Sequence, residues 1–357
     1  MKNCLVFIKN KKLNNNFDRF EDVCVSFASG GYNFDKVSLI AYDSSQEITS
    51  QLKECREVYD NTVVLCNSLQ LSVIADYVGR LYGVQMQQDN VFDNGEKSLF
   101  IVDDSANLKA ETGKIVAYLN KKYAISYDKM CIKAVGAPAE LINKAIEQSQ
   151  GCCADMTFNV YSDFEDTTIE ITYSSNTPKM VADGVMRTFV TILDDYIYAL
   201  EDISLAQRLY ELLKLRRMKI SVAESFTGGG ICKKLVEVSG VSQVFFEGLN
   251  TYSNEAKMGR LGVNEITLKQ FGAVSDETAY QMAEGLIKSG NCDISIATTG
   301  IAGPKSDNTN KPVGLAYIAI GLKERIAVYK FNFSGDRTNI TNTAINQALF
   351  LAYKNLK

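Results

Sequence analysis

The chain has 357 residues, 46% of them hydrophobic and 22% charged, with a formal net charge of -4 and no histidine at all. That length and mix suit two or three globular domains, and the charge balance offers no basic footprint for nucleic acid. The missing histidine excludes a histidine-assisted nucleophile, a histidine acid–base and a histidine-ligated metal. Hydrolytic chemistry would need its base from a carboxylate, a lysine of lowered pKa or a tyrosine.

In chain order, residues 4–8, 37–41 and 63–66 read as short buried strands, and Leu69 to Tyr82 as an amphipathic helix. Phe100-Ile101-Val102 is a fourth strand, with a short helix near 109–119. Short apolar strands alternating with helices predict a parallel α/β layer. No phosphate-binding glycines follow these strands: Cys66-Asn67-Ser68-Leu69-Gln70 stands where they would be wanted. From about residue 127 the pattern changes. A strand at 129–135 precedes a helix after Pro138 that carries Leu141, Ile142 and Ala145 on one face. Alternating runs at 156–160 and 168–172 flank the acidic loop 162–166, and a long helix from Pro178 carries Val181, Val185, Phe189 and Ile192. These predict a small α+β unit with a two-stranded hairpin at its centre. The adjacent Cys152 and Cys153 are expected to be buried as small hydrophobes.

A helix from Leu205 to Arg216 introduces the last domain. There, Ile220 and Val222 alternate with Ser221 and Ala223 as in a strand, three glycines at 228–230 break it, and a helix with Ile231, Leu235 and Val236 follows. A serine at such a junction, Ser225, has its hydroxyl lifted toward solvent. The N–H groups around Thr227, Gly228 and Gly229 would point into the same space. An ordinary Gly-rich turn explains the glycines equally well.

A strand ends near Tyr252, and Ser253 caps the helix that holds Lys257 one turn in. Ser275 caps another helix, with Asp276 and Glu277 in its first turn. Strands follow at 293–298, 313–320 and 325–332, then a final helix from about 337, so the domain is expected to be an α/β sandwich. Two stretches invite anions. Thr298 to Gly314 is a surface loop whose composition also suits a lid or phosphate cradle, with Lys305 and Lys311 as charges. Ser334-Gly335-Asp336-Arg337 sets an arginine at a helix N-terminus.

The bases nearest to Ser225 in this reading are Glu224 and Lys257. Glu224 is its strand neighbour and should point to the other layer. Lys257 and Tyr252 can converge over the serine turn, where a desolvated lysine held by Tyr252 takes the hydroxyl proton, the serine–lysine variant of acyl transfer. A solvated helix charge is the plain alternative for Lys257. No apolar run reaches the ~18 residues of a membrane span, and Met1-Lys2-Asn3-Cys4 leads into a strand rather than a signal peptide. Nine scattered cysteines, an odd count, argue for reduced thiols in the cytoplasm.

The motifs A-E-S-F-T-G-G (223–229), T-Y-S-N-E-A-K (251–257), L-G-V (261–263), F-G-A-V-S (271–275), T-G-I-A-G-P (299–304), K-P-V-G (311–314) and G-D-R (335–337) occur in one order. In type and order they resemble the C-terminal domain of the CinA family, over about residues 203–357. That domain is similar to a nicotinamide-nucleotide amidase, which hydrolyses nicotinamide mononucleotide to nicotinate mononucleotide and ammonia in NAD recycling. The resemblance implies Ser225 as nucleophile, Lys257 as base and Tyr252 as active-site tyrosine. It implies substrate binding by Thr299, Gly300, Gly303, Lys311 and Arg337. No metal or other cofactor is implied, and a homo-oligomer, dimeric or larger, is. Local departures are Phe226 where the family usually has cysteine, Lys305 to Asn310 in place of a glycine run, and Ser334 in place of proline. The alternative implied by the family's name is a non-enzymatic protein of assembly, competence or damage response.

Upstream the resemblance weakens. Residues 126–200 resemble the family's small KH-like middle domain, although the acidic 162–166 loop and the lack of G-x-x-G argue against RNA binding. Residues 1–125 stand in the place of a molybdopterin-binding-like domain, associated in some members with ADP-ribose pyrophosphatase activity. Its G-T-E-L and G-G-L-G-P-T motifs are missing, so a degenerate remnant is expected. The expected organisation is thus 1–125, 126–200 and the amidohydrolase domain 201–357, all α/β or α+β.

Overall fold

The computed structural model describes residues 1–9, 19–41, 45–151, 156–306 and 310–357. The pair Cys152-Cys153 lies outside them, as does the middle of the 305–310 departure. Three sheets and twelve α-helices among the described residues make a mixed α/β protein. No helix among those residues is long and apolar enough to cross a membrane. The chain divides into two compact units: residues 1–129 with 153–159 and 170–182, and residues 130–152 with 160–169 and 183–357.

The first unit contains β1 (Asn3–Lys9), α1 (Arg19–Ser29), β2 (Lys36–Ala41), α2 (Ser45–Val58), β3 (Asn61–Cys66), α3 (Ser68–Tyr82), β4 (Val91–Asp93), β5 (Ser98–Asp103) and α4 (Leu108–Tyr123). Its sheet runs β2-β1-β3-β5-β4, parallel except for the short edge strand β4. β1 and β3 are apolar almost throughout because both of their faces are covered. Cys4, Val6 and Ile8 pack with Leu52, Cys55, Ile74 and Val78 of α2 and α3. Leu5 and Phe7 pack with Val23, Phe27, Ile115 and Leu119 of α1 and α4. The parallel layer expected from sequence is present. Helices α1 and α2 and the edge strand β4 add to it.

The middle sheet is ordered β7-β8-β6-β9 and formed by β6 (Tyr127–Val135), β7 (Thr157–Asp163), β8 (Asp166–Ser174) and β9 (Ile197–Ala199). The expected hairpin is β7–β8. Its two-residue turn, Phe164-Glu165, has φ of 49° and 65°, the backbone of a type I′ turn. The hairpin lies at one side of the sheet rather than its centre, with β6 and the three-residue β9 completing it. Helices α5 (Ala139–Gln150) and α6 (Lys179–Leu193) accompany these strands.

The C-terminal part of the second unit holds α7 (Leu205–Arg216), β10 (Ile220–Glu224), α8 (Gly230–Val236), β11 (Phe245–Asn250), α9 (Asn254–Leu261), α10 (Glu265–Phe271), α11 (Asp276–Lys288), β12 (Ile294–Gly300), β13 (Leu315–Leu322), β14 (Arg325–Asn332) and α12 (Arg337–Leu356). The sheet order is β11-β10-β12-β13-β14. β10 is parallel to both neighbours, and β13 and β14 return antiparallel. Side-chain alternation sorts β10 between two layers. Ile220 and Val222 join Ile231, Leu235, Ile345 and Leu349 of α8 and α12, whereas Ala223 joins Leu261, Met282 and Leu286 of α9 and α11. The α/β sandwich is therefore closed on both faces, with β10 second from one edge of its sheet.

Candidate active site

β10 ends at Glu224, and the chain turns through Ser225–Gly229 before α8 begins. Gly228 and Gly229 sit at φ of 63° and 96°, and a Cβ on either would meet nothing within 4 Å. Glycine is needed there for its backbone freedom and not for room. Gly230 is different: a Cβ on it would lie 2.2 Å from Ile345 Cδ1, so it sets how closely α8 approaches α12.

Lys257 is brought to Ser225 by α9. The Ser253 hydroxyl caps this helix by accepting from the Ala256 N–H at 3.1 Å. One turn on, the side chain of Lys257 runs inward and is only 1% exposed. Its Nζ lies 3.0 Å from Ser225 Oγ, 2.7 Å from the Thr251 carbonyl and 3.2 Å from the Tyr252 carbonyl. Among the described residues no carboxylate forms an ion pair with it. Burial without a counter-charge pushes its pKa down from 10.5 to about 8. In the neutral state the amine's two N–H bonds suit the two carbonyls, leaving its lone pair for the serine O–H. Ser225 itself is only 8% exposed, so its hydroxyl is not lifted toward solvent as the turn suggests but is buried against Lys257.

Tyr252 reaches the lysine through its main chain, not its ring. The residue is 63% exposed, and its hydroxyl accepts from Arg337 Nη2 at 3.3 Å. Tyr252 therefore holds Lys257 as expected, but by its carbonyl, with the Thr251 carbonyl as a second acceptor. Arg337, the first residue of α12, also donates from Nη1 to the Gly303 carbonyl at 2.8 Å. Tyr252, Gly303 and Arg337 are thus brought together.

The turn's N–H groups are distributed differently from the sequence expectation. Gly228 donates to the Ser225 carbonyl at 3.1 Å, and Gly229 donates to the Glu224 carboxylate at 3.0 Å. Of the turn's N–H groups beyond Ser225, those of Phe226 and Thr227 have no hydrogen-bond acceptor among the described residues. The Thr227 hydroxyl is 2.8 Å from that of Thr298, and both residues are buried. Glu224 does point to the opposite layer: it accepts from Gly229, Ile231 and Cys232 on the α8 side.

Other expected binding residues are committed to the scaffold. Thr299 Oγ1 donates to the Ala273 carbonyl at 2.7 Å. The Lys311 ammonium donates to the carbonyls of Phe271 and Val274 at 2.7 and 2.6 Å, fastening its loop to the α10–α11 connection. A Cβ on Gly300 would fall 2.9 Å from both Ala316 Cβ and the Phe226 ring. Phe226 itself packs inward with Ala302, Ala316, Ile340 and Ala344. What the sequence did not reveal is the Thr251 carbonyl and the Thr298 hydroxyl. A carbonyl has no residue signature, and Thr298 reads as one more strand threonine.

Fold and site together define an α/β-sandwich domain with a buried serine–lysine pair at a strand-to-helix turn. Residues 202–356 match the CinA C-terminal domain. A putative competence-damage inducible protein of Caldicellulosiruptor saccharolyticus is 38% identical over 245 residues, 68% of this chain and 60% of the relative. A CinA-like protein of Kosmotoga olearia is 48% identical over 157 residues, 44% of this chain and 38% of the relative. The crystal structure of a competence/damage inducible protein from Agrobacterium tumefaciens is 37% identical, with a TM-score of 0.41, covering 42% of this chain and 93% of that one. Residues 202–356 thus carry a CinA C-terminal domain, and the match spans 60% of the Caldicellulosiruptor relative's length.

Proposed function

We propose that the C-terminal domain is a serine–lysine amidohydrolase that releases ammonia from nicotinamide mononucleotide. The observation that carries this reading is the buried Lys257 Nζ, 3.0 Å from Ser225 Oγ and, among the described residues, otherwise bonded only to two carbonyls. Neutral Lys257 takes the proton as Ser225 Oγ attacks the carboxamide carbon. The tetrahedral oxyanion is received by the free N–H groups of Phe226 and Thr227, at the start of the turn. The lysine ammonium then gives its proton to the departing nitrogen, and ammonia leaves an acyl-serine. Water attacks the ester with the amine again as base, which frees nicotinate mononucleotide and restores Ser225.

Arg337 supports the choice of an anionic substrate. It stands at the N-terminus of a 20-residue helix, where charge and helix dipole both favour a phosphate. Its present partners, the Tyr252 hydroxyl and the Gly303 carbonyl, are neutral groups that a phosphate would outcompete. The test is ammonia release from nicotinamide mononucleotide by the purified chain and by Ser225→Ala. Turnover by the parent alone supports the reading; equal release by both refutes it.

A further inference from the structure

We infer that Glu224, which takes no part in the proton transfers above, is a positioning residue for the nucleophile turn; this rests on the amidohydrolase reading. The residue is wholly buried, on the face of β10 whose other side chains, Ile220 and Val222, lie in the apolar core. An acidic group in such a place is costly unless its oxygens are fully bonded. They are. Oε2 accepts from the N–H groups of Gly229 and Ile231 at 3.0 and 3.1 Å, and Oε1 accepts from that of Cys232 at 2.9 Å. The Cys232 thiol is a further donor to it: burial, and next that hydrogen bond, push the thiol pKa up. No cation forms an ion pair with Glu224 among the described residues.

This pattern has one purpose that the geometry makes plain. The first N–H groups of a helix have no partner within it, and the residue preceding α8, Gly229, has no side chain to cap them. Glu224 caps them from the strand before. Because it directly precedes Ser225, its carboxylate ties the end of the turn to its beginning. The segment 225–229 is closed at both ends, which fixes the backbone of Ser225 and keeps the Phe226 and Thr227 N–H groups available. An acceptor-only side chain is required: glutamine would set an NH2 group against N–H donors. Glu224 therefore acts through the turn, on the serine and on the oxyanion donors, while Lys257 sets the protonation.

The experiment compares the whole parent chain with Glu224→Gln and Glu224→Asp. The probe is a fluorophosphonate, which phosphonylates an activated serine and leaves an oxygen where the oxyanion would sit. Labelling of Ser225 is followed by mass spectrometry across pH. Glu224→Gln should slow labelling by about 100-fold, the scale of a lost oxyanion donor. Its pH midpoint should stay that of the parent, and the KM for nicotinamide mononucleotide should move less than threefold while kcat falls. Glu224→Asp, which keeps the acceptors on a shorter arm, should fall between the two and remains informative if the glutamine variant does not fold. A folded Glu224→Gln, or failing that Glu224→Asp, that labels within threefold of the parent overturns the inference and leaves the amidohydrolase reading standing. A parent that is not labelled at Ser225 overturns that reading and the inference with it.

Discussion

Lys257 Nζ and Ser225 Oγ lie 3.0 Å apart although 32 residues separate them, and the lysine is 1% exposed. A buried ammonium whose other bonds go to two carbonyls, without a carboxylate, is poorly compensated for its lost hydration. That imbalance makes the amine usable as a base near neutral pH, and most of the predictions follow from it.

Replacing Ser225 by alanine should reduce ammonia release at least ~1,000-fold, since the turn's other hydroxyl, that of Thr227, is paired with Thr298 and not with Lys257. The fold should survive, with the thermal midpoint within about 4 °C of the parent, because one hydrogen bond of roughly 1 kcal/mol is lost. Assay and melting curve are run on the same preparations. Activity within threefold of the parent removes Ser225 from its role.

The same lysine makes stability depend on pH. Its folded-state pKa of about 8 lies below the ordinary 10.5, so between those values the unfolded chain binds more protons than the folded one. Stability should therefore rise with pH across that window, and below about 8 the full penalty stands, on the order of 3 kcal/mol. The check is urea unfolding of the parent and Lys257→Met at pH 7 and pH 10. The variant's advantage over the parent should shrink markedly at the higher pH. An equal difference at both pH values would show that Lys257 is not desolvated as described.

Tyr252 offers a test of main chain against side chain. Tyr252→Phe removes the hydroxyl that accepts from Arg337 but leaves the carbonyl bonded to Lys257. The alkaline midpoint of kcat/KM should not move, and kcat should change no more than ~3-fold, the worth of an exposed hydrogen bond. A shifted midpoint would return the phenol to the proton path.

Arg337→Ala should raise KM for nicotinamide mononucleotide about tenfold or more, with a smaller change in kcat, as expected for a lost charge-assisted bond to phosphate. The matching riboside, which has no phosphate, should respond little to the substitution. Equal effects on both substrates would mean that Arg337 serves only to hold Tyr252 and Gly303.

Much of this was legible in the sequence because the strongest signals are local. Alternation in β10, the glycines at 228–230 and the Ser253 cap give the strand, the turn and the helix that carry Ser225 and Lys257. Alternation also sends Glu224 to the opposite layer from Ser225, though not how far its carboxylate reaches. Which N–H of the turn remains free was not legible, because it is decided by that reach and by the Ser225 carbonyl. Thr299 and Lys311 show a second limit. Their residue types suit a ligand, yet their partners are backbone carbonyls near residues 271–274, distant in sequence and visible only once α10 and α11 are placed. In the first unit the apolar strands were evident, whereas β4 and β9, three residues each, are too short to carry a period.

The central claim, that Lys257 takes the proton of Ser225, is tested most directly by the pH dependence of kcat/KM for ammonia release by the parent and Lys257→Arg. The parent should rise with pH through a single midpoint near 8, the pKa that burial gives Lys257. Any second ionisation near ~6 belongs to the substrate phosphate. The arginine variant keeps its proton at every accessible pH, so its kcat/KM should fall at least ~100-fold and lose the alkaline rise. If instead it keeps more than about a tenth of the parental kcat/KM with the same midpoint, Lys257 only positions substrate and the serine proton leaves by another route.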